Sequence, residues 1–262
     1  MFRRLGGEPR GDTAAETQYR AAREADGYRR RDPQYFRDLP HVPDDDPHAD
    51  RWRVRQATYA RFTSHALWRL RGSQRMADLG AGCGWLAARV AALGHHVVAV
   101  DRRDDELDGL GACRHYETAF MALQADFEAL PIASEQFDVV VFNASLHYAE
   151  NPSRALTEAR RVLASGGAIA VLDSPMFATA SDGEAMVRAE LVRLQRDCGI
   201  AAPQRLGAGF LTYDGLDAAA AALGLVARFI PTRGPWTWRL KRAVGAVRVG
   251  RPPAAFGVWI AR

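Results

Sequence analysis

Residues 78–84, Asp-Leu-Gly-Ala-Gly-Cys-Gly, set one carboxylate two positions ahead of three glycines, Gly80, Gly82 and Gly84, at alternate places. Glycines at such a corner open backbone conformations closed to other residues and let a ligand come close to the chain. The spacing is G-x-G-x-G, not the G-x-G-x-x-G that seats a pyrophosphate on a helix N-terminus. A carboxylate at Asp78 would repel a pyrophosphate and would suit a cationic, amino-acid-like ligand. Cys83, inside the corner, reads as a small filler rather than a nucleophile.

A corner of this kind needs a strand before it and a helix after it. Residues 75–80 are a short apolar run into glycine, residues 85–94 predict a helix ending at Gly94, and residues 96–101 a buried strand ending at Asp101. Further strands are expected at 120–126, 137–143 and 168–174. A helix is expected over 151–167, with Pro152 in its first turn and Gly166 and Gly167 at its end. Such alternation implies an α/β fold, a parallel sheet with helices on both faces. Ahead of it, helices are expected at 13–31 and 50–71, separated by a proline-rich and acidic loop, 32–50. Behind it follow helices near 182–198 and 214–224 and strands at 225–233 and 254–262.

Composition separates the same regions. Residues 76–173 carry 7 Arg against 14 acids, while both flanks are net basic and bring the chain to +4. The basic residues are 34 Arg and one Lys, Lys241, which looks more like a GC-rich coding sequence than selection for phosphate contacts. The three cysteines, Cys83, Cys113 and Cys198, are far apart and lack C-x-x-C spacing, so reduced thiols are expected, with neither a disulfide framework nor a zinc site. His41 and His48 with the acids of 44–50 are metal-ligand types, but their proline-rich context reads as a solvated loop, and no metal is expected. No secretory signal or membrane-length apolar run is evident, and a cytoplasmic location is expected.

The stretch 76–101, followed by 124–175, resembles class I S-adenosylmethionine (SAM)-dependent methyltransferases, with five landmarks in the right order. The resemblance implies a Rossmann-like, doubly wound seven-stranded sheet with an antiparallel last strand, here with an N-terminal helical cap. It divides the chain into a cap or substrate lid, 1–72, and a SAM-binding domain, 73–262, with substrate-side insertions at about 175–215 and 233–253. It assigns Asp78 to the methionine amine and Gly80, Gly82 and Gly84 to backbone passage for methionine and ribose. Asp101 would take the ribose hydroxyls, Asp126 the adenine amino group, Phe127 the adenine ring, and Asn143 the methionine end.

Methyl transfer is a direct displacement in which alignment and desolvation supply most of the acceleration, and a base is needed only for a nucleophile that holds its proton. His147, just after the fourth strand, is the leading candidate for that base, with a structural role near the cofactor as the alternative. Tyr148, Asp173 and Tyr213 are lesser candidates. Acceptor specificity is expected from Tyr19, Tyr28, Tyr35 and Phe36, from 175–215, and from 233–253. In this last segment Trp236 and Trp238 beside basic residues suit an anionic membrane surface or a lipid-like or anionic substrate, or else a solvated insertion with its tryptophans packed on the domain. The expected acceptor is a small molecule, such as a secondary metabolite or lipid-like compound. Nucleic acid is not expected, since residues 143–148 lack the Asn/Asp-Pro-Pro-aromatic motif of DNA amino-methyltransferases. A nicotinamide dehydrogenase conflicts with the glycine spacing. A silent SAM-binding or partner-binding module remains the reading from another class.

Overall fold

The computed structural model describes residues 14–28, 32–67, 72–199, 206–232 and 234–262. Residues 13 and 29–31 of the first expected helix, 68–71 of the second and 200–205 of the first insertion lie outside the described residues. In chain order the first elements are α1 (Ala14–Ala25), α2 (Pro33–Asp38), α3 (Ala49–Phe62), β1 (Arg75–Leu79), α4 (Trp85–Ala92), β2 (His96–Asp101), β3 (Met121–Gln124) and β4 (Phe137–Asn143). They are followed by α5 (Pro152–Val162), β5 (Leu163–Leu172), β6 (Met176–Phe177), α6 (Ala180–Cys198), β7 (Leu211–Thr212), α7 (Tyr213–Ala222), β8 (Ala227–Pro231), α8 (Trp236–Val249) and β9 (Gly257–Ala261).

Seven strands form one sheet in the order β3-β2-β1-β4-β5-β9-β8. Pairing is parallel from β3 to β5, and β9 runs antiparallel to both β5 and β8. The central strands are apolar along nearly their whole length because both faces are covered. On one face Trp52 and Phe62 of α3 and Trp85, Leu86 and Val90 of α4 pack together. On the other, Ala155, Leu156 and Ala159 of α5 join Leu216 and Ala220 of α7. Helix α5 starts as its sequence predicts, with Pro152 in the first turn and the Asn151 side chain accepting from the Arg154 amide at 3.1 Å.

Two expectations are corrected. The helix assigned to 151–167 stops at Val162, and Gly166 and Gly167 lie inside β5. There they turn the chain through a bulge: Phe137 pairs with Leu163, but Val139 pairs with Ala168. Gly166 has φ +75°, and a Cβ on Gly167 would stand 2.8 Å from the Asp138 carbonyl, so these glycines serve a strand irregularity rather than a helix end. The segment 32–50 contains α2, capped by the Asp32 carboxylate and begun by Pro33, where a loop was expected.

Helix α3 continues into a π-helical turn, Thr63–Leu67. Beyond the main sheet, β6 and β7 make a two-stranded parallel ribbon. No helix among the described residues is long and apolar enough to cross a membrane.

Candidate active site

Strand order reverses between β1 and β4, and the crevice beyond their carboxyl ends is where an open α/β sheet holds its ligands. The glycine corner fills one side of it. Gly80, Gly82 and Gly84 have φ of +74°, +55° and +74°, the left-handed region that a side chain disfavours. The amides of Gly80 and Ala81 both donate to the Val100 carbonyl, at 2.8 and 3.0 Å. A Cβ at Gly80 would stand 2.4 Å from Ser145 Cβ, and one at Gly84 would stand 2.6 Å from Cys113 Sγ. Gly80 and Gly82 border the cavities described below, whereas Gly84 is packed against Cys113 and Phe120 and borders neither.

On the β2–β3 side lies a cavity of about 120 Å3 lined by Asp101, Asp126, Phe127 and Tyr148 among others. Asp101 Oδ2 accepts from the Gly82 amide at 2.8 Å, and Oδ1 accepts from the Arg103 amide at 2.9 Å. Burial raises its carboxyl above the ordinary range, against the neighbouring Arg103. Asp126 Oδ1 accepts from the Glu128 amide at 2.8 Å, and Oδ2 lies 4.0 Å from Arg102, which also pairs with Glu16 of α1 at 3.2 Å. Helix α1 is thereby tied across this cavity. Phe127 stands edge-on to Phe142, with ring centres 5.6 Å apart.

Across the glycine corner opens a larger cavity, of about 420 Å3. Tyr19, Tyr28, Tyr35 and Phe36, four aromatics from separate places in the first 36 residues, all line it. Asn143, His147, Tyr148 and Asp173 line it too. Tyr213 does not, packing instead on Phe229 at 5.1 Å. His147 is 5% exposed, with Nδ1 3.1 Å from Ser174 Oγ and its ring tilted against Tyr148, centres 4.0 Å apart. Asp173 follows β5 with φ +49°; its Oδ1 accepts from Thr58 Oγ1 at 2.7 Å, and burial pushes its carboxyl up to about 6. Ala144, after the adjacent β4, has φ +54°, so two non-glycine residues hold left-handed backbone at the lip of the crevice.

Asp78 is fully buried beneath the corner and borders neither cavity. Its two carboxylate oxygens have no hydrogen-bond partner among the described residues. Burial, and then the charge of Asp101, push this carboxyl up to about 7. Asn143 Oδ1 is likewise buried without a partner. Cys83 is pushed up to about 11 by burial, so its thiol stays protonated and serves as packing. His48 stacks on Tyr28 at 3.8 Å, and Asp44 and Asp50 pair with Arg53 at 2.7 and 2.9 Å.

The polar groups at the corner are thus acceptors: the carboxylates of Asp101 and Asp126, the Asn143 oxygen and the buried Asp78. That set fits a ligand that is cationic and rich in N–H and O–H donors. A pyrophosphate would meet these carboxylates, and the arginines of the smaller cavity, Arg102 and Arg103, are already paired with Glu16 and Asp108.

Sequence reasoning missed one cluster. Asp108 receives Arg23 of α1 at 2.7 and 2.8 Å and Arg103 at 3.3 Å. Burial alone would push its carboxyl up, but the two guanidiniums hold it below the ordinary range. Nothing in the spacing of residues 104–110 signals a partner 85 residues away. Ser145, which fills the space above Gly80 and donates to the Leu79 carbonyl, was missed for the same reason. The segment 233–253 is resolved by α8: Trp238 lines the larger cavity and packs on Phe256 at 6.3 Å, whereas Trp236 is 74% exposed.

Residues 77–171 match the family model described as a methyltransferase domain. The malonyl-[acyl-carrier protein] O-methyltransferase of Erwinia pyrifoliae is 34% identical over 109 residues, 42% of this chain and 38% of that protein. An uncharacterised methyltransferase of Mycobacterium tuberculosis is 34% identical over 100 residues, 38% of this chain and 40% of that protein. The chain matches about two-fifths of the length of these curated relatives. Among solved structures, an S-adenosylmethionine-dependent methyltransferase from Mesorhizobium loti superposes with a TM-score of 0.54 at 18% identity, covering 79% of this chain and 98% of that one, which shows the shared fold.

Proposed function

We propose, from the premise that this chain carries a class I SAM-dependent methyltransferase domain over residues 77–171, that it transfers a methyl group to O, N or C of a small molecule held in the larger cavity. The observation that carries this reading is the pair of cavities meeting at Gly80 and Gly82, one walled by carboxylates and the other by aromatics. SAM, the cofactor of this family, supplies a methyl group on a sulfonium whose departure is already favourable.

The chain's own work is to hold and align. Asp101 spends one lone pair on Gly82 and one on Arg103, and a carboxylate has about four acceptor sites, so two remain for a ribose diol. Asp126 and Phe127 offer an acceptor and an apolar face to adenine. Asn143 offers an uncompensated oxygen to the methionine amine, and the buried Asp78, which borders neither cavity, adds negative charge beneath the corner rather than a direct contact. The aromatics of the first 36 residues, with Trp52 and Trp238, wall the second cavity and keep water from the acceptor.

Where the acceptor is a hydroxyl, His147, oriented through Ser174, takes its proton. Asp173 is the rival base. The name of the Erwinia relative makes an acyl oxygen one acceptor to screen. Domain boundaries at 1–72 and 73–262 belong to the same proposal, with the first segment acting as a lid.

Thermal unfolding with SAM, S-adenosylhomocysteine (SAH), NAD and NADP tests the cofactor. A ligand at about 100 times its Kd adds about 2.7 kcal/mol, and each kcal/mol moves Tm by about 2–4 °C at this size. A rise with SAM and SAH alone supports the proposal. A rise with NAD or NADP alone, or with none of the four, overturns it.

A further inference from the structure

The larger cavity is lined by five guanidiniums, Arg23, Arg51, Arg55, Arg103 and Arg242, against three carboxylates, Asp108, Asp173 and Glu190. Arg23 and Arg103 are matched by Asp108. Arg51 is exposed to water and donates to the Tyr28 hydroxyl. Asp173 is engaged by Thr58 and Glu190 has a partner of its own.

Arg55 and Arg242 remain. Arg55 lies over the Trp52 ring, 4.6 Å from its centre, and no described residue accepts a hydrogen bond from it or forms an ion pair with it. Its charge is felt by Asp173 through space only. Arg242 lies over Trp238 at 4.3 Å and Phe256 at 5.1 Å, gives one N–H to the Ala254 carbonyl, and meets no carboxylate among the described residues.

Holding a guanidinium partly out of water without an anion costs free energy, so two of them in one cavity call for an anion from outside. Stacking on an aromatic face leaves the planar N–H edge for an acceptor, the geometry that matches a carboxylate or phosphate. Both arginines sit on elements outside the matched residues 77–171: Arg55 on α3 and Arg242 on α8. These two helices are joined by the Lys241–Asp50 pair at 3.1 Å and by Gly234, whose missing side chain leaves room for Val54 and Trp238.

We infer that Arg55 and Arg242 supply anion recognition to the acceptor cavity, and that the acceptor, lying among Tyr28, Trp52, Trp238 and Phe256, is a flat, aromatic molecule carrying a carboxylate or phosphate. This rests on the methyltransferase reading for its purpose, but not for its test. The sulfonium of SAM adds a further positive charge to the same crevice, which favours an anionic acceptor over a neutral or cationic one. The other source of such a group is the carboxylate of SAM itself, and the experiment separates the two.

Calorimetry with naphthoate and its neutral amide, naphthamide, is made on the full chain saturated with SAH. Naphthoate is expected to bind about ten-fold or more tightly than naphthamide. Arg55→Met should abolish that preference, Arg55→Lys should keep part of it, and neither should change SAH affinity. Arg242→Met should act likewise. Arg55→Met carries the test alone if loss of the Trp238 contact unfolds the Arg242 variant, as circular dichroism will show. Equal binding of the two probes, or binding of neither at millimolar concentration, overturns the inference. A loss of SAH affinity in Arg55→Met equal to its loss of naphthoate affinity also overturns it, assigning the arginine to the cofactor's carboxylate. If the parent binds neither SAM nor SAH, the methyltransferase reading fails, and the naphthoate preference without SAH still decides the anion site.

Discussion

The two sides of the crevice are built from opposite materials. The side proposed for the cofactor is backbone and carboxylate: glycines in left-handed conformations, with Asp78, Asp101 and Asp126 around them. The side proposed for the acceptor is arginine and aromatic ring, brought together from α1, the segment before α3, α3 itself and α8. A carboxylate side suits a ligand of fixed, cationic chemistry, and its residues lie within one run of chain. An arginine side suits an anionic ligand, and its unmatched arginines lie on α3 and α8, outside residues 77–171. Binding of the two ligands should therefore be separable by mutation.

The largest separation is expected at the boundary. For a hydroxyl acceptor, identified by SAH release, His147→Ala should lower kcat about 100-fold or more while SAH affinity stays unchanged. Persistence of the parent rate across pH 6 to 9, together with loss of rate in Asp173→Asn, would transfer the proton to Asp173.

Gly80→Ala should come next. A methyl group 2.4 Å from Ser145 Cβ, on backbone at φ +74°, is expected to cost about 2–4 kcal/mol and to weaken SAH binding about 100-fold. Gly166→Ala has a nearly identical φ, +75°, but open space around it, and should cost about 1 kcal/mol with no change in SAH affinity. Similar SAH losses in both would show that strain rather than the site is being measured.

Asp101→Ala should weaken SAH about 100-fold, since two charge-assisted hydrogen bonds to the ribose are lost, and should leave naphthoate binding intact. An unchanged SAH affinity would remove the ribose assignment.

Asp78 adds a pH effect. Its carboxyl rises from 3.8 in the open chain to about 7 in the fold, so folding favours its protonated form. Stability from this group is fully present below pH 3.8, falls as pH rises toward 7, and is absent above it. Asp78→Asn should therefore gain about 2–4 kcal/mol at pH 8 and nothing at pH 4, while losing about ten-fold in SAH affinity. A variant no more stable than the parent at pH 8 would mean that the carboxylate finds a partner in solution.

Much of the first side was legible along the chain. The run 75–101 encodes strand, corner and strand through local preferences, apolar runs broken by glycine, and Asp101 falls at the end of its strand because the pattern places it there. The four N-terminal aromatics stood out in the sequence by type, but their gathering around one cavity did not. Gly166 and Gly167 misled because glycine ends helices and also relieves strand bulges, and the difference lies in the Asp138 carbonyl across the sheet.

Local chemistry thus specified the alternating fold, the glycine corner and the carboxylates beside it, since each depends on residues a few positions apart. The burial of Asp78, the lock of Arg23 on Asp108, the choice of Trp238 over Trp236, and the stacked arginines were settled by packing. Each depends on which distant helices cover the crevice, and such pairings leave no period or spacing in the chain.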